Sequence, residues 1–100
     1  MKIILTPNFE KGFKKVPPIK EDLWALGQSL QENPTQGSEV FKNCYKVRLA
    51  IKSKGKSGGG RLITYVRITS ESVYLLSIYA KSERETVTDA YIKHLLKDLS

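Results

Sequence analysis

The spacing of apolar residues changes along this 100-residue chain, and each change marks a different kind of element. Lys2 to Leu5 reads as a short strand ended at Thr6-Pro7. Thr6 can cap a helix, and Pro7 suits the first helical position because the N–H it lacks would have no partner there anyway. Phe9, Phe13 and Val16 then fall at i, i+4 and i+7, one helical stripe. Pro17-Pro18 stops this helix and starts a second, in which Ile19, Leu23, Leu26 and Leu30 recur at helical spacing with Trp24 beside them. Asn33-Pro34 ends the second helix, and 35–39 reads as a polar connector. Two short antiparallel helices joined at a proline pair are expected.

The period then falls to two. Tyr45, Val47, Leu49 and Ile51 alternate with Lys46, Arg48, Ala50 and Lys52, which predicts a strand with apolar groups inward and cations outward. The SKGKSGGG run at 53–60 holds too much glycine for a regular element and reads as a loop. Arg61 to Ile68 is the next strand, with Leu62, Val66 and Ile68 on one face and Arg61, Tyr65 and Arg67 on the other. Val73 to Lys81 is the last, with Tyr74, Leu76 and Ile78 on one side and Ser77, Tyr79 and Lys81 on the other. Thr69 to Ser72 is short enough for a hairpin. Thr88 can cap a final helix with the stripe Ile92, Leu95, Leu96 and Leu99. The order is β-α-α-β-β-β-α, an α+β fold whose last three strands form an antiparallel meander with helices on one face. Lys46, Arg48, Arg61, Tyr65, Tyr79 and Lys81 should then meet on the opposite, uncovered face.

Charge sharpens that picture. Residues 40–70 carry eight cations and no carboxylate, so the chain's net +7 leaves 9 basic against 10 acidic residues elsewhere. A concentrated positive field attracts polyanions, nucleic acid above all. The length predicts a single domain over 1–100. One cysteine, Cys44, excludes an internal disulfide and fits a reducing cytoplasm. No apolar run approaches the roughly 20 residues of a membrane-spanning helix, so no membrane partner is expected.

Several chemistries fail on spacing. Gly55-Lys56-Ser57 matches the end of a phosphate-binding loop, yet that loop needs a glycine where Ala50 stands and a helix where a strand follows. The single histidine, His94, has no second ligand at useful spacing, so no metal or other cofactor is expected. No carboxylate pair can act where residues 40–70 bind. RNA cleavage by the RNA's own 2′-hydroxyl remains open to Lys, Arg, Tyr and Ser. Arg48 and Arg61 suit a clamp on a charged phosphorane, because guanidinium forks stay protonated. Lys46, Lys54 or Lys81 could move protons, and Tyr65 and Tyr79 offer planes for stacking bases.

The segments YKVRL (45–49), GGRLITYV (59–66) and VYLLSIYAKSERE (73–85) resemble the RelE/ParE superfamily of toxins from bacterial toxin–antitoxin pairs. KSKGKSGGGRLITY (52–65) is most similar to its HigB-like branch. The resemblance covers nearly the whole chain and implies the β-α-α-β-β-β-α plan. It implies an endoribonuclease that cuts messenger RNA in the ribosomal decoding site without metal, and a cognate antitoxin. Lys46 and Arg48 stand where the family places a basic pair, Arg61 at its phosphate-binding arginine, and Lys81 at a lysine after the last strand. Lys46, Arg48, Arg61 and Lys81 are the expected catalytic residues. Lys52, Lys54, Lys56, Tyr65, Arg67, Tyr79 and Ser82 are the expected RNA contacts.

Two positions depart from the best-studied branch. Ser82 replaces an arginine that protonates the leaving oxygen, and Thr88 replaces a tyrosine. Lys54, Lys56, Tyr65 or Tyr79 would have to take over. Two rival functions remain: a ParE-like inhibitor of DNA gyrase without nuclease activity, and a non-catalytic nucleic-acid-binding module. The helical hairpin at 9–32 and the basic groove are both expected antitoxin surfaces.

Overall fold

A computed structural model describes residues 2–15, 20–49, 59–81 and 86–99. The expectations for Val16 to Ile19, for Ala50 to Lys52, for the loop residues 53–58 with Lys54 and Lys56, and for Ser82 lie outside these residues; the end of the expected loop, Gly60, is already the first residue of a strand. The described chain is α+β: β1 (Lys2–Leu5), α1 (Pro7–Lys15), α2 (Lys20–Glu32), β2 (Ser38–Phe41), β3 (Cys44–Leu49), β4 (Gly60–Arg67), β5 (Ser72–Ala80) and α3 (Asp89–Leu96). The five strands form one sheet in the order β1-β5-β4-β3-β2. The pair β1–β5 is parallel and the other pairs are antiparallel.

The element starts follow local chemistry. Thr6 Oγ1 accepts from the Phe9 N–H at 3.2 Å, and Pro7 opens α1 as its missing donor allows. Thr88 caps α3 in the same way, accepting from the Tyr91 N–H at 3.1 Å. α2 ends one residue before Asn33-Pro34. The β4–β5 connection is a four-residue hairpin loop, 68–71. It turns through a 3-10 segment, Ile68–Ser70, and Glu71 at φ 50°. Ile68 thus leaves the strand and lies exposed instead of sharing a face with Leu62 and Val66.

Three features correct the sequence expectations. The supposed connector 35–39 already contains the start of β2, which pairs with β3 through Ser38–Lys46, Glu39–Tyr45 and Phe41–Cys44. Its four residues are too few for a periodic signal. The second correction is a bulge in β5. Ile63 pairs with Ser77 but Thr64 pairs with Leu75, so Leu76 is an extra residue on β5. One extra residue reverses strand parity beyond it. Ile78, Leu75 and Val73 therefore face α1 and α2, whereas Leu76 and Tyr74 join Ser77 and Tyr79 on the other face. The β1–α1 corner ties down this irregularity. Thr6 Oγ1 donates to the Leu75 carbonyl at 2.9 Å, and Asn8 Nδ2 donates to that of Leu76 at 3.2 Å.

The third correction concerns coverage. The first face is a continuous core of Phe9, Leu26, Leu30, Val47, Leu49, Leu62, Val66, Val73, Leu75, Ile78 and Ala80 beneath α1 and α2. α1 lies so close to β5 that a Cβ on Gly12 would run into the Ile78 carbonyl oxygen. The second face was expected to be open, but α3 crosses part of it. Ile92 and Leu95 pack with Cys44, Ile63, Leu76 and Tyr79 in a second core. The physical reason is plain: α3 has its own apolar stripe, and burying it gains about 1.5–3 kcal/mol per large side chain.

Candidate nucleic-acid interface

The register of three strands places the basic residues in rows. Arg48 on β3 is directly opposite Arg61 on β4, which is directly opposite Tyr79 on β5. The next row is Lys46, Ile63 and Ser77, and the end row is Cys44, Tyr65 and Tyr74. Adjacent strands lie about 4.8 Å apart, so the first row is about 10 Å wide. Lys81 follows β5 at the Arg61 end, where its N–H donates to the Gly59 carbonyl at 3.2 Å.

α3 divides this face. Its first turn touches Ser77, where the Ser77 hydroxyl and the Tyr91 phenol are 2.7 Å apart. Its far end reaches Tyr65 and Arg67, which line a small cleft with Leu96 and Leu99. The helix thus runs from the lysine row to the opposite end of the strands. Arg48 and Lys81 are exposed, Lys46 and Arg61 half-buried. The Arg61 guanidinium folds towards its own strand, Nη1 donating to the Gly60 carbonyl at 2.9 Å. Beyond the end of β2, a groove of about 620 Å³ between β3 and α2 opens beside Lys46 and Arg48.

The four residues expected to be catalytic, Lys46, Arg48, Arg61 and Lys81, therefore share one end of the face. The expected stacking tyrosines do not present open rings there. Tyr79 is only 6% exposed and belongs to the second core. Tyr65 lies at the far end, tilted against Tyr74 at 5.9 Å between centroids. Arg67 sits over both rings, 5.9 Å from Tyr65 and 5.5 Å from Tyr74, so its charge is held in a cation–π stack. Sequence reasoning missed Ser77 and Tyr91 as a pair. The available signal was Tyr91 at i−4 from Leu95, the edge of the apolar stripe.

Like charges directly opposite each other on neighbouring strands cost stability. The Arg48–Arg61 pair is such an arrangement, and a bound polyanion would relieve it. Among the described residues, two further titratable groups offer little to a different chemistry. Burial, and secondarily the Glu39 carboxylate, push the Cys44 thiol from 9.0 up to about 11, which suits a packed thiol rather than a nucleophile. His94 is exposed on α3. Among the described residues no group of three His, Cys, Asp or Glu gathers to hold a metal ion. Among them, too, no helix is long and apolar enough to cross a membrane.

No family model matches the sequence. Solved structures do match the fold. A free Escherichia coli RelE toxin carrying two arginine-to-alanine changes superposes with a TM-score of 0.67 at 17% identity, covering 99% of this chain and 97% of that one. The isolated E. coli RelE toxin gives 0.62 at 18% identity, covering 96% of each chain. The intact E. coli RelBE toxin–antitoxin complex gives 0.61 at 20% identity, covering 79% of this chain and 94% of its counterpart. The chain has the RelE-toxin fold, reached through a sequence that shares only about one residue in five with those toxins.

Proposed function

We propose that this protein is the toxin of a toxin–antitoxin pair and acts as an endoribonuclease on messenger RNA in the ribosomal decoding site. The observation that carries the reading is the opposed pair Arg48–Arg61, flanked by Lys46 and Lys81, on the part of the sheet that α3 leaves uncovered. A phosphodiester passing over that row meets fixed cations where the charge of a phosphorane develops. The RNA's 2′-hydroxyl attacks the adjacent phosphorus, and the guanidinium groups of Arg48 and Arg61 take the charge that a metal ion would otherwise take. Lys46 and Lys81 bind the neighbouring phosphates or move protons. Lys52, Lys54 and Lys56, which follow β3 in the sequence, are proposed as further RNA contacts. The partners are messenger RNA, the ribosome and an antitoxin that neutralises the basic face, and the site of action is the cytoplasm.

The test is inducible expression in a bacterium with mapping of messenger-RNA ends, repeated for Arg61→Ala and Lys81→Ala. Codon-phased cuts that vanish in both variants are expected. Growth arrest with intact transcripts and broken DNA would sink the reading and favour a gyrase inhibitor. Equal cutting of naked RNA and ribosome-bound RNA would remove the ribosome from the proposal.

A further inference from the structure

The lysines and arginines of the basic face clamp phosphates well, but a departing 5′-oxygen also needs a proton. We propose that Tyr91 supplies it, with Ser77 holding the phenol in position; this rests on the endoribonuclease reading above. Tyr91 stands in the first turn of α3, and its hydroxyl is 2.7 Å from that of Ser77. Ser77 lies two residues from Tyr79 on the same face, about 7 Å along the strand. Tyr79 is the last member of the Arg48–Arg61–Tyr79 row. The phenol therefore meets the sheet at Ser77, in the row next to the one that holds Arg61 and Arg48.

Two other described hydroxyls near this site have different settings. Thr88 accepts from the Tyr91 N–H as the cap of α3. The Tyr79 ring is enclosed in the second core. In the Ser77–Tyr91 bond either oxygen can be the donor. With Ser77 donating, the Tyr91 O–H turns towards a substrate oxygen, and the serine hydroxyl afterwards supports the negative charge on the phenolate.

The step balances as follows. The 2′-oxygen forms a bond to phosphorus, and hydroxide from solvent takes its proton. The bond from phosphorus to the 5′-oxygen breaks, and its electron pair stays on that oxygen. The oxygen takes the proton of Tyr91, leaving a 5′-hydroxyl on one fragment and a 2′,3′-cyclic phosphate on the other. Solvent then returns a proton to the phenolate.

The test uses the full-length protein and a ribosome-bound messenger RNA whose scissile linkage carries either its ordinary 5′-oxygen or a bridging 5′-sulfur. A thiolate leaves without a proton, so it bypasses the proposed acid. Tyr91→Phe should cut the ordinary linkage about 10²- to 10⁴-fold more slowly than wild type, the usual range for loss of a general acid. On the sulfur linkage it should return to within a few-fold of wild type. Ser77→Ala should show the same pattern with a smaller loss. Equal defects of Tyr91→Phe on both linkages would mean that it only positions α3, and would overturn the assignment. So would an undiminished rate on the ordinary linkage. Failure of the wild type to cut either linkage would refute the endoribonuclease reading itself.

Discussion

The two faces of the sheet are built from alternate residues of the same strands, yet they are finished in different ways. Beneath α1 and α2 the first face is mainly apolar, from Val73 and Val66 to Ile78, Leu62 and Leu49, with the buried hydroxyl of Thr64 among them. The second face changes character across the strands. Cys44, Ile63 and Leu76 are sealed under α3, and the basic rows overlap this core, since Ile63 stands opposite Lys46 and Tyr79 opposite Arg61. Arg61 and Leu62 mark the contrast most sharply, since neighbours in sequence point into opposite environments. A cationic surface can be placed on a small sheet when the opposite face carries most of the stability.

That division is broken or sharpened first at this pair. Leu62 is fully buried, so Leu62→Ala should lose about 2–5 kcal/mol in a urea titration through transfer and cavity terms. Arg61→Ala should leave the unfolding midpoint nearly unchanged and lower messenger-RNA cleavage by about 10²- to 10³-fold, as loss of one transition-state donor does. Should both variants lose stability equally, the two faces would not divide the work as described.

A smaller effect tests how closely the helical layer is seated. Gly12→Ala drives a methyl into the Ile78 carbonyl, so α1 must lift from β5. A loss of about 1–3 kcal/mol is expected, read from the shift in denaturation midpoint. An unchanged midpoint would mean that the first face tolerates a looser lid.

The smallest effect concerns the sealed part of the second face. The Cys44 thiol lies at about 11 in the folded protein against 9.0 ordinarily, a raised value that favours the neutral form. Its contribution to stability is therefore complete below pH 9.0 and is lost as pH rises through about 11. The stability advantage of wild type over Cys44→Ala should shrink across that interval and stay constant below it. Alkylation of the folded protein near pH 8 should be far slower than alkylation in denaturant. Rapid alkylation under native conditions would show that α3 lifts readily from the sheet.

Much of the fold was legible because its signals are local. Thr6-Pro7 and Thr88 mark helix starts whose caps form, and the alternation from Tyr45 to Leu49 assigns β3 to the correct faces. The second strand escaped notice because Ser38–Phe41 is too short to display a period. Parity failed in β5 because a bulge at Leu76 changes the count by one without leaving a compositional trace. The candidate site was legible to a similar depth. The sequence brought Lys46, Arg48, Arg61 and Lys81 to one surface, but it grouped Tyr65 and Arg67 with them, at what is the other end of the strands.

The chain alone determined its charge distribution, its helix caps, and which residues of β3 and β4 share a face, since all of these depend on neighbours within a few positions. Only the tertiary structure decided how much of the basic face stays open. That follows from α3 burying its stripe on Ile63 and Leu76, a contact between segments distant in sequence whose energy no local pattern encodes. The same packing brings Tyr91 to Ser77 and leaves Arg48 and Arg61 uncovered by the helix, side by side on adjacent strands.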